Sequence, residues 1–195
     1  MQIFKENQFH SKKNSNLYKE RNEKLREKFL EEMAFIDPEK VLFLDEFGFD
    51  THQKYEYSWA MRGEKVYAEK SGSRGARVNT IACLNHKGGL VGSFTFEGSC
   101  NSEVFDVYLS KVLIPTLKEG SVIVMDNASF HTGSNAKELL EKHGCKLKYL
   151  PPYSPDLNPI ENYWFPLKND LKKRFLEAVK NPFETVTEVV RLRST

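Results

Sequence analysis

Residues 121–131 read SVIVMDNASFH. The apolar run is of strand length and rich in β-branched residues, and it stops on a carboxylate, Asp126, with the turn-forming Asn127 behind it. Four other runs share this character: VLFLD (41–45), VNTIACL (78–84), GLVGSFTF (89–96) and KLKYL (146–150). Together they predict five strands. NHKGG (85–89) predicts a hairpin turn between the second and third. Segments 102–118 and 134–143 carry helical periodicity, through Phe105, Leu109 and Val112 in one and Leu139, Leu140 and His143 in the other. Three strands followed by helix, strand, helix, strand and helix make an α/β fold with a mixed five-stranded sheet flanked by helices.

Ahead of this alternation, residues 1–36 predict an N-terminal helical arm, and 37–195 a single domain. Leu17, Leu25, Phe29 and Met33 recur at four- and eight-residue steps, as in an amphipathic helix that Asp37-Pro38 brings to an end. Such a helix packs on the domain, makes a contact in a homodimer, or is the stub of a lost linker. At the other end a long helix is expected to start at Asn158-Pro159, with Asn158 as N-cap and Pro159 in the first helical position. Ile160, Trp164, Leu167, Leu171 and Phe175 form its sheet-facing stripe. A short final helix is expected over 182–192.

The 195 residues are 39% hydrophobic and 12% aromatic, with 29 basic against 27 acidic side chains and a net charge of +2. That balance fits a globular domain with a full core and argues against disorder. Cys83, Cys100 and Cys145 are odd in number and far apart, so they make neither a disulfide framework nor a zinc-ligand spacing. No stretch approaches the ~18 apolar residues of a membrane span. MQIFKENQFH at the start lacks the apolar run of a secretory signal. The expected setting is cytoplasmic and chromosome-associated, with no membrane partner.

Two of the apolar runs finish on an acid, Asp45 in LFLDE and Asp126 in VIVMDN. If the first and fourth strands are neighbours, both acids emerge at one sheet edge, where ligand sites of α/β sheets concentrate. Like charges so placed raise each other's pKa unless a cation sits between them. An oxygen-rich, nitrogen-poor site favours Mg²⁺ or Mn²⁺ over zinc. Singly, either Asp also serves as a strand-end residue that bonds the backbone of the next turn. Glu46 and Asn127 follow directly, and strand alternation turns at most one of each pair into a common site.

A third acid, Glu161, follows the stiff approach LPPYSPDLNPIENYW (150–164), whose four prolines leave few ways into the helix. Glu161 stands three residues after Asn158, so a capping-box bond to the Asn158 N–H competes with a metal-binding role. Lys168 and Lys172 lie seven and eleven residues beyond Glu161. At about 100° per residue the three fall on nearly one stripe, suited to a phosphate backbone or to a solvated helix face.

Taken in order, LDEFGF, VMDNASFH and SPDLNPIENYW resemble the signature of DDE transposases of the mariner superfamily, in particular its bacterial insertion-sequence branch. The gap agrees: 161 − 126 = 35, which leaves 34 residues between the second and third acids. The resemblance runs from about Asp37 to Lys180 and includes SWAMRGEK (58–65). It implies a ribonuclease-H-like fold in which Asp45, Asp126 and Glu161 are both catalytic and metal-binding, holding two divalent cations for in-line displacement at phosphorus. It also implies DNA partners, the element's ends and a target. Relatives carry helix-turn-helix modules ahead of the catalytic domain. Only about 40 residues precede the first strand here, so that module is expected to be missing or to be supplied by a separate chain.

Smaller expectations surround the three acids. His131 either helps near the scissile phosphate, as the resemblance hints, or bonds its own loop; Asn127 and Asn158 are the other supporting candidates. Arg62, Lys65, Lys70, Arg74 and Arg77 outnumber Glu64 and Glu69 in a stretch that reads as a DNA-tracking loop or a solvated one. Tyr57 and Trp59 beside it stack on a splayed base or pack in the domain.

Overall fold

A computed structural model of the chain describes residues 18–51, 65, 75–132 and 134–194. The five expected strands form one sheet in the order β3-β2-β1-β4-β5. β1 (Val41–Asp50), β2 (Arg77–Asn85) and β3 (Leu90–Glu97) pair antiparallel, while β4 (Val122–Met125) and β5 (Lys146–Tyr149) continue the sheet in parallel on the other side of β1. The 85–89 hairpin is closed by the Asn85 N–H donating to Gly89 O at 3.0 Å and the Gly88 N–H to Asn85 O at 3.0 Å. Gly88, at φ 83°, takes the left-handed conformation that a side chain would resist.

β1 is longer than the run VLFLD suggested. Its pairing with β2 continues through Asp45↔Ala82 to Asp50↔Arg77, so Asp45 lies inside the strand and not at its end. The cause is alternation: Phe47 and Phe49 point into the core beyond the acid and keep the strand in register.

Strand alternation also divides the core. Leu42, Leu44, Ile81, Cys83, Ile123 and Met125 face one helical layer, where they meet Phe105, Tyr108, Leu109 and Leu113. Phe47, Phe49, Val78 and Ala82 face the other, made by α5 (Ile160–Lys173) and α7 (Pro182–Arg193). The expected stripe Ile160, Trp164, Leu167 and Leu171 is buried there, and Phe175 packs against it from a separate short helix, α6 (Phe175–Lys180). The final helix expected over 182–192 is α7.

Segment 102–118 is not one regular helix. α2 (Ser102–Tyr108) passes into a π turn over Leu109–Leu113 and a 3-10 turn over Ile114–Thr116, where Pro115 has no N–H to continue the ladder. A short helix not read from the sequence, α3 (Ser129–Thr132), precedes α4 (Ala136–Lys142). α1 (Glu23–Ala34) is capped by Asn22 Oδ1, which accepts the Leu25 N–H at 3.2 Å. It packs through Phe29 and Met33 on Val41, Val122, Val124 and Leu150. Leu25, expected on that face, is exposed, and Leu17 lies outside the described residues. Arg26 fastens α1 to the proline-rich approach by a two-pronged ion pair with Asp156, at 2.9 and 2.7 Å.

The three cysteines are free thiols, Cys83 and Cys145 buried and Cys100 half-buried. Among the described residues no helix is long and apolar enough to cross a membrane.

Candidate active site

Pairing between β1 and β4 ends at Phe43↔Val124, two residues before Asp45 on one strand and two before Asp126 on the other. Because the strands are parallel, the two acids stand side by side just past the last β1–β4 pair; Asp126 follows the end of β4 as its position after an apolar run predicted, whereas Asp45 stays in β1, paired with Ala82. Asp45 shares a face with Phe47, so it points toward α5. There Trp164 Nε1–H donates to Asp45 Oδ2 at 2.9 Å, while the Trp164 ring stacks on Phe47 at 5.7 Å between centroids. Glu46 turns to the opposite face, where its Oε2 is buried without a hydrogen-bond partner.

Burial pushes the Asp45 carboxyl up to about 7, and the negative charge of Glu161 adds to the rise; Asp126 contributes less, against the lowering effect of the Glu46 N–H and Trp164. Asp126 moves the other way. Its Oδ1 is 2.8 Å from His131 Nδ1 and accepts the Ala128 N–H at 3.0 Å, and the His131 bond is the main cause that holds the carboxyl below its usual range. His131 is itself only 3% exposed and lies against the Phe105 ring at 4.6 Å. It therefore orients Asp126 from within the fold instead of facing a phosphate. Asn127 Nδ2 donates to Leu150 O at 2.7 Å and ties the loop after β4 to the end of β5.

The entry to α5 differs from the expected cap. Pro159 is the residue before the helix, and no side chain bonds the helix start. Asn158 gives its N–H to Pro155 O at 2.9 Å, accepts the Glu161 N–H on its carbonyl at 3.2 Å, and keeps its side-chain Oδ1 buried without a partner. The 3-10 turn Pro155–Leu157 fixes this geometry, so the capping box is not formed and Glu161 is free of that role.

Asp45, Asp126 and Glu161 line one open cleft of about 590 Å³, together with Asn127, Asn158, Tyr18, Tyr153 and the prolines of the approach. No Lys or Arg is among the described residues that line it. Nor, among the described residues, do three acidic, His or Cys side chains gather tightly enough to hold a metal ion as they stand. The donor chemistry nonetheless fits a hard divalent cation: the three acids supply only oxygen, and Asp45 carries the repulsion that a cation would relieve.

Lys168 and Lys172 are exposed on α5 and do not line the cleft; the Lys168 ammonium sits over the Phe47 ring at 5.7 Å from its centroid. Arg77 opens β2 and donates to Asn79 Oδ1 at 3.2 Å, and Lys65 is exposed. Arg62 and Arg74, with Lys70, Tyr57 and Trp59, lie outside the described residues. What sequence reasoning missed is the part played by Trp164, read only as packing, and by Tyr18 and Tyr153. The i, i+3 step from Glu161 to Trp164 was the available signal, since it puts both on adjoining parts of one helix.

The sequence profile of the DDE superfamily endonuclease family matches residues 40–181. The transposase of the transposable element Tc3 from Caenorhabditis elegans is 27% identical over 172 residues, covering 78% of this chain and 52% of that protein. The chain thus spans about half the length of that curated relative. A Mos1 transposase paired-end complex with the left transposon end superposes with a TM-score of 0.62 at 16% identity, over 96% of this chain and 64% of that one. A Mos1 mariner paired-end complex with Mn gives 0.57 at 16% identity, over 95% and 64%. The fold is accordingly ribonuclease-H-like, with the mixed sheet and flanking helices described above.

Proposed function

Since the chain belongs to the family of DDE superfamily endonucleases, we propose that its residues 37–195 are the catalytic domain of a DNA transposase of the mariner superfamily, in the bacterial insertion-sequence branch, behind a helical arm over 1–36. The observation that carries this is the opening of Asp45, Asp126 and Glu161 onto one cleft from three separate parts of the chain. These three would hold Mg²⁺ or Mn²⁺, as two ions. When bound, the ions would activate a water or a DNA 3′-hydroxyl as nucleophile and stabilise the leaving oxygen for displacement at phosphorus.

The chain's own residues prepare that site. Trp164 orients Asp45, His131 orients Asp126, and the Asn127–Leu150 bond fixes the loop after β4 that carries Asp126. Glu161 is carried on a helix whose entry is set by Pro155 and Pro159. With no cation side chain in the described lining, phosphate binding inside the cleft depends on the metals. Arg62, Lys65, Arg74, Arg77, Lys168 and Lys172 would meet the DNA backbone outside it. The partners in this reading are transposon ends and target DNA on the chromosome, in the cytoplasm, and a second copy of the chain. The Mos1 complex with a transposon end supports the DNA partner.

Strand joining tests the reading. Incubated with Mn²⁺, a labelled duplex bearing a free 3′-hydroxyl and supercoiled plasmid, the protein should yield plasmid covalently joined to label. Cleavage of an RNA–DNA hybrid with no joined product would assign the cleft to another nuclease of this fold.

A further inference from the structure

Tyr153 is the single residue other than glycine with positive φ among the described residues, at 56°. A bulky side chain seldom accepts that conformation without a reason in its surroundings. Its ring is not held there by burial, being 54% exposed. It lies at the mouth of the carboxylate cleft against Tyr18, itself 53% exposed, with ring centroids 5.8 Å apart and planes inclined by 44°. The platform is braced from both sides. Ser154, next to it, is buried and donates to Pro152 O at 3.2 Å, and the Arg26–Asp156 pair fixes the arm that carries Tyr18 to the loop that carries Tyr153.

The tyrosines and prolines add aromatic and apolar surface to the cleft that the acids line, with no described Lys or Arg in the lining. A surface of that kind accepts the flat face of a nucleobase, which stacks on aromatic rings whatever its sequence. A base inside a duplex presents no such face, because stacked neighbours cover it on both sides. Resting on the DNA-processing reading above, we propose that Tyr153, supported by Tyr18, stacks on an unpaired nucleobase at a DNA strand end and so sets the terminal phosphodiester beside Asp45, Asp126 and Glu161. The platform recognises frayed or splayed ends, not a sequence. The cleft volume of about 590 Å³ lies within the range of small-ligand sites and is large enough for a terminal nucleotide.

The test uses the full chain with Ca²⁺ and a short duplex carrying one unpaired 3′ nucleotide, whose base is 2-aminopurine, beside the same duplex with an abasic unit at that position. The parent should bind the base-bearing end roughly tenfold more tightly and quench its fluorescence. Tyr153→Phe should keep both effects. Tyr153→Asn removes the ring while suiting the left-handed backbone, so it should melt no lower than the parent yet lose the preference and the quenching. Equal binding of the two ends by the parent, or a preference retained in Tyr153→Asn, would overturn the stacking role and leave the proposed catalysis standing. A parent that binds neither duplex would overturn the DNA-processing reading and this inference with it.

Discussion

Asp45 concentrates the chemistry of the cleft in one titration. An ordinary Asp ionises near pH ~3.9, whereas Asp45 does so at about 7, through burial first and the charge of Glu161 second. Between those values the folded chain keeps a proton that the unfolded chain has lost. Stability of the metal-free protein should therefore fall as pH rises from about 4 to about 7 and level off above, by at most about 1.4 kcal/mol per pH unit. The same proton competes with a cation, so Mn²⁺ affinity should drop as pH is lowered through 7. Urea unfolding across pH 5 to 8, for the parent and Asp45→Asn, measures the first effect, and calorimetric Mn²⁺ titration of the parent the second. A pH slope unchanged by the substitution would contradict the assignment. At this scale Asp126 was legible as an acid closing an apolar run. The failure of the cap expected of Asn158 was not, because the Glu161 N–H goes to the Asn158 carbonyl and the Asn158 N–H to Pro155 O, bonds local to a 3-10 turn that spacing alone does not reveal.

Among the elements, α5 joins core to site. Its 3.6-residue periodicity marked Ile160, Trp164, Leu167 and Leu171 for burial, and all four are buried. Pro166 stands inside the helix. An interior proline ordinarily costs about 3 kcal/mol, so packing of that stripe, not helix propensity, holds the element. Trp164 is the link, stacked on Phe47 and bonded to Asp45. Trp164→Phe keeps a ring on Phe47 and removes the donor. Asp45 should then titrate still higher, and Mn²⁺ affinity should weaken on the order of tenfold, as when a ligand loses its orienting bond. Calorimetry and thermal unfolding of the variant check this, and parent-like affinity would show that the Trp164 bond does not prepare the site. The π turn after α2 was less legible, because tertiary fit dictates it. Leu113 comes so close to β3 that a Cβ on Gly92, at φ 62°, would lie 3.0 Å from Leu113 Cδ1. Periodicity sees Leu109 and Leu113 as helical but not the strand they must fit.

For the molecule as a whole, the layout of the strands and of the longer helices was legible because each apolar run had strand length and each longer helix its own period, whereas the short helices α3 and α6 carry too few residues to show one. The gathering of the acids was legible only in part. Parallel pairing of β1 with β4 puts Asp45 and Asp126 at one edge, but the arrival of Glu161 depends on how a proline-rich segment crosses from β5 to α5. That crossing is also where α1 is fastened, through Arg26 and Asp156. The central claim is that this convergence makes a metal-dependent phosphodiester-cleaving site. Glu161→Gln tests it most directly. The N–H that a capping Glu would bond is already given to Pro155 O, so the neutral amide should leave the melting temperature unchanged while binding divalent cations poorly. Nicking of supercoiled DNA in Mn²⁺, measured beside thermal unfolding, should proceed in the parent and fall by roughly two orders of magnitude in the variant at equal stability; a variant that nicks at the parent's rate would contradict the claim.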